Sequence, residues 1–120
     1  HEQSRMNLCI LRINKDILNL PGVVITDGNA ATTRTRFHES PIGIQHLDKT
    51  LIFAEYWTDD DPIVADRKKW AICAEVLVPY KVETDYLVGM IIVSTQVAQS
   101  LKQKGNDLSS EINQKMFFMD

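Results

Sequence analysis

The chain has 120 residues, 44% of them hydrophobic and 24% charged, a balance that suits one globular domain over residues 1–120 and argues against disorder. Thirteen basic against sixteen acidic side chains leave a net charge of −3. That disfavours a charge-driven nucleic-acid binder and confines any such contact to local patches. No apolar run approaches the roughly 18 residues of a membrane helix, and no signal-peptide pattern opens the chain. The start, His1-Glu2-Gln3, lacks an initiator Met and reads as a tag remnant or the middle of a longer protein.

Residues 6–13 (MNLCILRI) form a nearly continuous apolar run, which suits a strand covered on both faces. A helical turn follows over residues 16–20, and Pro21-Gly22 breaks the chain. Val23-Val24-Ile25 is a short β-branched strand that ends in the turn signal Asp27-Gly28-Asn29. Residues 30–46 show no period and read as a long loop. Residues 47–57 suit a short helix. Thr58-Asp59-Asp60-Asp61 leads to a second helix with Pro62 at its first position, running to Trp70. Residues 73–78 (CAEVLV) form a strand closed by Pro79, and residues 88–94 another.

Ser94 caps a helix with the apolar stripe Val97, Ala98 and Leu101, ended by Gly105. Asn106 or Asp107 caps a last short helix carrying Leu108 and Ile112, and Met116-Phe117-Phe118 ends the chain in a strand. The class is α+β. The strands at 7–13, 23–26, 73–78 and 88–94, apolar on both faces, are expected to share one sheet. Cys9 and Cys73, inside apolar stretches, read as small core residues of a reducing, cytoplasmic compartment.

Four constellations carry chemistry. Side chains alternate along a strand, so Cys73, Glu75 and Leu77 share one face of the 73–78 strand and Ala74, Val76 and Val78 the other. Glu75 is then a carboxylate in a strand buried on both sides, which is costly without a reason. An edge position, a salt bridge and a catalytic role all remain open. In the segment 25–31, Gly28 permits a close backbone approach, while Thr26, Asp27 and Asn29 offer hydrogen-bonding groups; the alternative is a plain strand-ending turn.

The segment 32–38 (TTRTRFH) packs Arg34, Arg36, Thr35, Phe37 and His38 together. That mix can hold phosphates and stack a base, or be a solvated surface loop. Arg67-Lys68-Lys69-Trp70 is a basic-aromatic patch, or the polar face of a helix with one packed Trp. The acid run Asp59-Asp60-Asp61 lacks Asp-x-Asp or EF-hand spacing and reads as solvated loop. His1, His38 and His46 are scattered, so no metal site is expected.

Taken in order, four segments resemble the C-terminal half of the DarT-type DNA ADP-ribosyltransferases, toxins of DarT–DarG toxin–antitoxin pairs. They are residues 18–31 (LNLPGVVITDGNAA), Thr35-Arg36-Phe37, Phe53-Ala54-Glu55-Tyr56-Trp57 and residues 73–79 (CAEVLVP). The resemblance spans roughly residues 6–95. It implies an ADP-ribosyltransferase-like split β-sheet with short flanking helices, present here without its N-terminal half. It implies transfer of ADP-ribose from NAD to a base, typically thymine, in single-stranded DNA, with NAD as substrate and a macrodomain antitoxin as partner.

The family's catalytic Glu falls on Glu75. Its substrate-facing loop covers residues 59–72, with Arg67, Lys68 and Trp70. Residues 27–37, with Asp27, Asn29, Arg34, Thr35, Arg36 and Phe37, form a substrate-binding loop. The family's NAD-binding His and catalytic Arg have no counterpart, and its frequent Gln two residues before the Glu is Cys73. The 120 residues alone are therefore expected to turn over NAD poorly. The competing reading is an inactive transferase-like module that grips nucleic acid or a protein partner.

Overall fold

The structure, a computed structural model, describes residues 8–103 and 109–113. It divides into two compact units, residues 1–15 with 83–120, and residues 16–82.

In the first unit, β5 (Leu87–Ile92) is the middle strand of a three-stranded sheet. It pairs antiparallel with β1 (Cys9–Ile13) and parallel with β6 (Ser110–Ile112). Met90 and Ile92 are 2% and 0% exposed and supply the core of this sheet, with Val93 beside them. Helix α3 (Thr95–Gln103) follows. The Ser94 hydroxyl accepts the Val97 N–H at 3.4 Å, as its capping role requires. Val97, Ala98 and Leu101 are half-buried, so the expected stripe is its inward face.

The second unit holds the other sheet. Its middle strand is β2 (Val24–Thr26), flanked antiparallel by β3 (Phe37–Glu39) and β4 (Val76–Leu77). Val24 faces Glu39 on one side and Leu77 on the other. Val23, Ile25, Ile17 and Ala71 are its buried apolar residues. Gly22, at φ 81°, makes the break before β2, where a side chain would be strained. Two helices lie between β3 and β4: α1 (Lys49–Ile52), capped by Asp48, and α2 (Pro62–Ala71). Helix α2 begins as its sequence dictates: Pro62 stands in the first turn and Asp61 Oδ1 accepts the Ile63 N–H at 2.9 Å.

Several expectations change. The four strands do not share a sheet: β4 pairs with β2, while β1 pairs with β5. Apolar composition marks a strand but does not name its partner. Nor is β1 covered on both faces, since Leu11 is 47% and Ile13 38% exposed. Cys9 and Cys73 are exposed thiols rather than core residues. The 30–46 loop contains β3 and a 3-10 turn at Ile42–His46; β2 supplies the ladder that three residues cannot announce by period. The helix expected over 47–57 is one turn long. Ile112 lies in β6, not in a helix. Gly105 to Leu108 and Met116 to Phe118 lie outside the described residues. Among the described residues no helix is long and apolar enough to cross a membrane.

Candidate functional site

All the candidate residues fall in the second unit, on the turn after β2 and the first residue of β3, on α2, and just before β4. The turn is closed at its neck by Asp27. Its carboxylate accepts the Arg36 N–H at 2.8 Å, and its own N–H donates to the Arg36 carbonyl at 3.3 Å. The other carboxylate oxygen lies 4.0 Å from His38 Nε2, and the His38 ring stacks on His46 with centroids 4.9 Å apart.

Within the neck, Asn29 folds the chain upon itself. Its Oδ1 accepts the Ala31 N–H at 2.9 Å, an Asx turn. Its carbonyl accepts the Thr32 hydroxyl at 2.9 Å and the Thr35 hydroxyl as well. Thr35 is 8% exposed, and its hydroxyl also accepts Trp70 Nε1–H at 2.8 Å.

Trp70 ties this turn to α2. Its carbonyl accepts the Asn29 N–H at 3.0 Å. Its ring lies so close to Gly28 that a Cβ there would stand 2.1 Å from a ring carbon. Arg34 covers the ring, its guanidinium carbon 4.9 Å from the centroid, and donates to Asp66 Oδ2 at 2.9 Å. Asp27, Asn29, Arg34, Thr35 and Trp70 are thus brought together; Arg34 is held by the Asp66 carboxylate, and the others bond to one another or to backbone groups of the turn.

Lys68 reaches Asp59 Oδ2 at 3.1 Å and the Thr58 carbonyl at 3.4 Å. The Asp61 N–H, and after it the Lys68 side chain, hold the Asp59 carboxyl below the ordinary carboxylate value. Lys69 stands 5.1 Å over the Trp57 ring. Arg36, Phe37 and Arg67 are exposed, and among the described residues neither Arg36 nor Arg67 is in an ion pair. No group of three or more His, Cys, Asp or Glu among the described residues could hold a metal ion.

Glu75 differs from its expectation. It is exposed and precedes the two-residue strand β4, so its carboxylate is not buried between two apolar faces. The 73–78 strand is shorter than its composition suggests because residues 72–74 are drawn into the turn after α2. There the Cys73 and Ala74 N–H groups donate back to Trp70 and Ala71. Instead, the Glu75 main chain is held. Its carbonyl accepts the Thr26 N–H at 2.9 Å, and its own N–H donates to the Thr26 hydroxyl at 2.9 Å.

Thr26 is 0% exposed. It is the residue that sequence reasoning underrates, and its signal is present: a threonine closing an apolar strand just before Asp-Gly. The arrangement presents a solvent-facing carboxylate on a fixed main chain. Elsewhere in the same unit Arg36, Phe37 and Arg67 are exposed, residue types able to meet a polyanion and an aromatic face.

A family model described as ssDNA thymidine ADP-ribosyltransferase, DarT, matches residues 1–118. A DNA ADP-ribosyl transferase–DNA ADP-ribosyl glycohydrolase fusion protein of Thermosipho africanus (strain H17ap60334) is 29% identical over 103 residues, 84% of this chain and 25% of that protein. The chain therefore spans about a quarter of the length of the curated relative it matches. Among solved structures, Thermosipho africanus DarTG in complex with ADP-ribose superposes with a TM-score of 0.78 at 27% identity, covering 95% of this chain and 30% of that one. Thermus sp. 2.9 DarT in complex with ADP-ribosylated ssDNA does so with a TM-score of 0.71 at 20% identity, covering 88% and 52%, a likeness of fold.

Proposed function

The chain belongs to the DarT family of ssDNA thymidine ADP-ribosyltransferases, and on that premise we propose that the protein transfers ADP-ribose from NAD to thymine in single-stranded DNA. We take residues 1–120 as the C-terminal part of one transferase domain. The protein would act in the cytoplasm as the toxin of a toxin–antitoxin pair, with a macrodomain antitoxin as partner. The observation that carries this reading is the family match over residues 1–118. The glycohydrolase fused to the transferase in the Thermosipho relative supports the antitoxin partner.

The chemistry suits the residues. The bond between the ribose C1′ and nicotinamide breaks, its electron pair leaves with nicotinamide, and the ribose acquires oxocarbenium character. A thymine ring nitrogen then bonds to C1′, and its N–H proton is released to solvent. Glu75 would bind a ribose hydroxyl and stabilise the positive charge electrostatically. The turn of residues 27–37, closed by Asp27, Asn29, Thr35 and Trp70, would shape the DNA-facing side. Arg36 and Arg67 would meet phosphates while Phe37 packs on sugar or base. Arg34 and Lys68 would have to release Asp66 and Asp59 to do the same.

The test is NAD-dependent labelling of a mixed single-stranded DNA pool by the full-length protein and its Glu75→Gln variant. The substitution keeps the shape and removes the charge. Labelling should fall by about 10²–10³, with the thermal midpoint unchanged. A folded variant that labels DNA at the parental rate would make Glu75 a surface acid and end this reading of the site.

A further inference from the structure

We propose that Thr26 is a positioning residue for Glu75, an inference that rests on the reading of Glu75 above. The β2–β4 ladder ends with Ile25 opposite Val76. One residue further, the hydroxyl of fully buried Thr26 accepts the Glu75 N–H at 2.9 Å and donates a hydrogen bond to the Gly28 carbonyl at 2.8 Å. The Thr26 N–H meanwhile donates to the Glu75 carbonyl at 2.9 Å. One side chain therefore joins the end of a strand, the carboxylate-bearing residue and the glycine turn.

Gly28 lies against the Trp70 ring, and the Asn29 N–H bonds to the Trp70 carbonyl. The frame thus runs from Glu75 through Thr26 to the end of α2. The Glu75 side chain is exposed, so its starting point is set by its main chain. Valine at position 26 would fill the same space and leave the Glu75 N–H and the Gly28 carbonyl without this partner. Serine would keep both bonds.

The experiment measures kcat and KM of the full-length protein with NAD and a thymine-containing single-stranded oligonucleotide, for the parent, Thr26→Val, Thr26→Ser and Glu75→Gln. The larger part of the role proposed for Glu75 is exerted on the charge of the transition state, so displacing it costs rate more than binding. Thr26→Val should therefore lower kcat about 10–100-fold with both KM values held within about threefold. Thr26→Ser should return kcat to within about threefold of the parent. Parental kcat in Thr26→Val, an effect on KM alone, or a serine variant as impaired as the valine one would each overturn the proposal.

Amide hydrogen exchange on the parent gives a second test that does not depend on the valine variant folding. The Glu75 N–H should exchange slowly despite the exposed side chain, and rapid exchange would overturn the proposal equally. The failures separate. A fully active Glu75→Gln removes the reading of Glu75 and this inference with it. An inactive Glu75→Gln beside a fully active Thr26→Val removes Thr26 alone.

Discussion

The β1–β5–β6 sheet and the β3–β2–β4 sheet both bury apolar residues, and the second adds a denser set of side chain–backbone bonds. In the first, a six-residue middle strand buries Met90 and Ile92 and is bonded on both sides. In the second, the strands are three, three and two residues long, too short for ladder bonds alone to hold. Side chains bonded to backbone complete it. Thr26 holds Glu75 and Gly28, Asp27 holds Arg36, Asn29 holds Ala31, and the Ser40 hydroxyl donates to the Leu18 carbonyl at 2.6 Å. Every candidate site residue belongs to this polar-braced sheet or to the segments it carries. Several side chains that look like ligand-binding groups in the sequence therefore serve as braces.

The two sheets should respond to different substitutions. Ile92→Ala empties a fully buried position of the first sheet and should cost about 2–5 kcal/mol, read as a lowered midpoint in denaturant unfolding of the full-length protein. A loss below about 1 kcal/mol would show that apolar burial is not what holds that sheet.

The second sheet should be sensitive to added volume where it has no space. Gly28→Ala sets a methyl group against the Trp70 ring and should cost about 1–3 kcal/mol. It should also speed amide exchange at Asn29, whose N–H bonds to the Trp70 carbonyl. Unchanged exchange there would mean that the turn and α2 move independently.

The smallest effect separates a brace from an open cation. Each phosphate contact adds about 0.7 to the salt slope of single-strand binding. Arg36→Ala should therefore flatten the slope of DNA binding by about that much, measured by fluorescence anisotropy across a salt series. Arg34→Ala should leave the slope near its parental value, because its guanidinium is bonded to Asp66 and stacked on Trp70. Its stability cost should stay within about 1 kcal/mol, as for other exposed ion pairs. Equal flattening by both would show that Asp66 yields Arg34 to the DNA.

Elements announced by adjacent residues were legible in advance. Asp61-Pro62 starts a helix, Ser94 caps another, Pro21-Gly22 breaks the chain before a β-branched strand, and each is found where its residues place it. These signals work because a cap or turn bonds groups two to four residues apart, within one stretch of text. The order of the four segments also reached the right family, since the match extends over residues 1–118.

The strand partners, the exposure of Glu75 and the tasks of Arg34, Thr26 and Trp70 were not legible. Each depends on a residue far along the chain. Thr26 and Glu75 are 49 positions apart, Thr35 and Trp70 are 35, and Arg34 and Asp66 are 32. Whether a threonine hydroxyl is a brace or a ligand group, and whether a glutamate is buried or presented, follows from which distant backbone reaches it first. A main-chain N–H that packing sets beside a buried hydroxyl bonds to it, because a donor left unpaired there is costly. Packing brings the Glu75 N–H to Thr26, a contact between residues that no local signal connects.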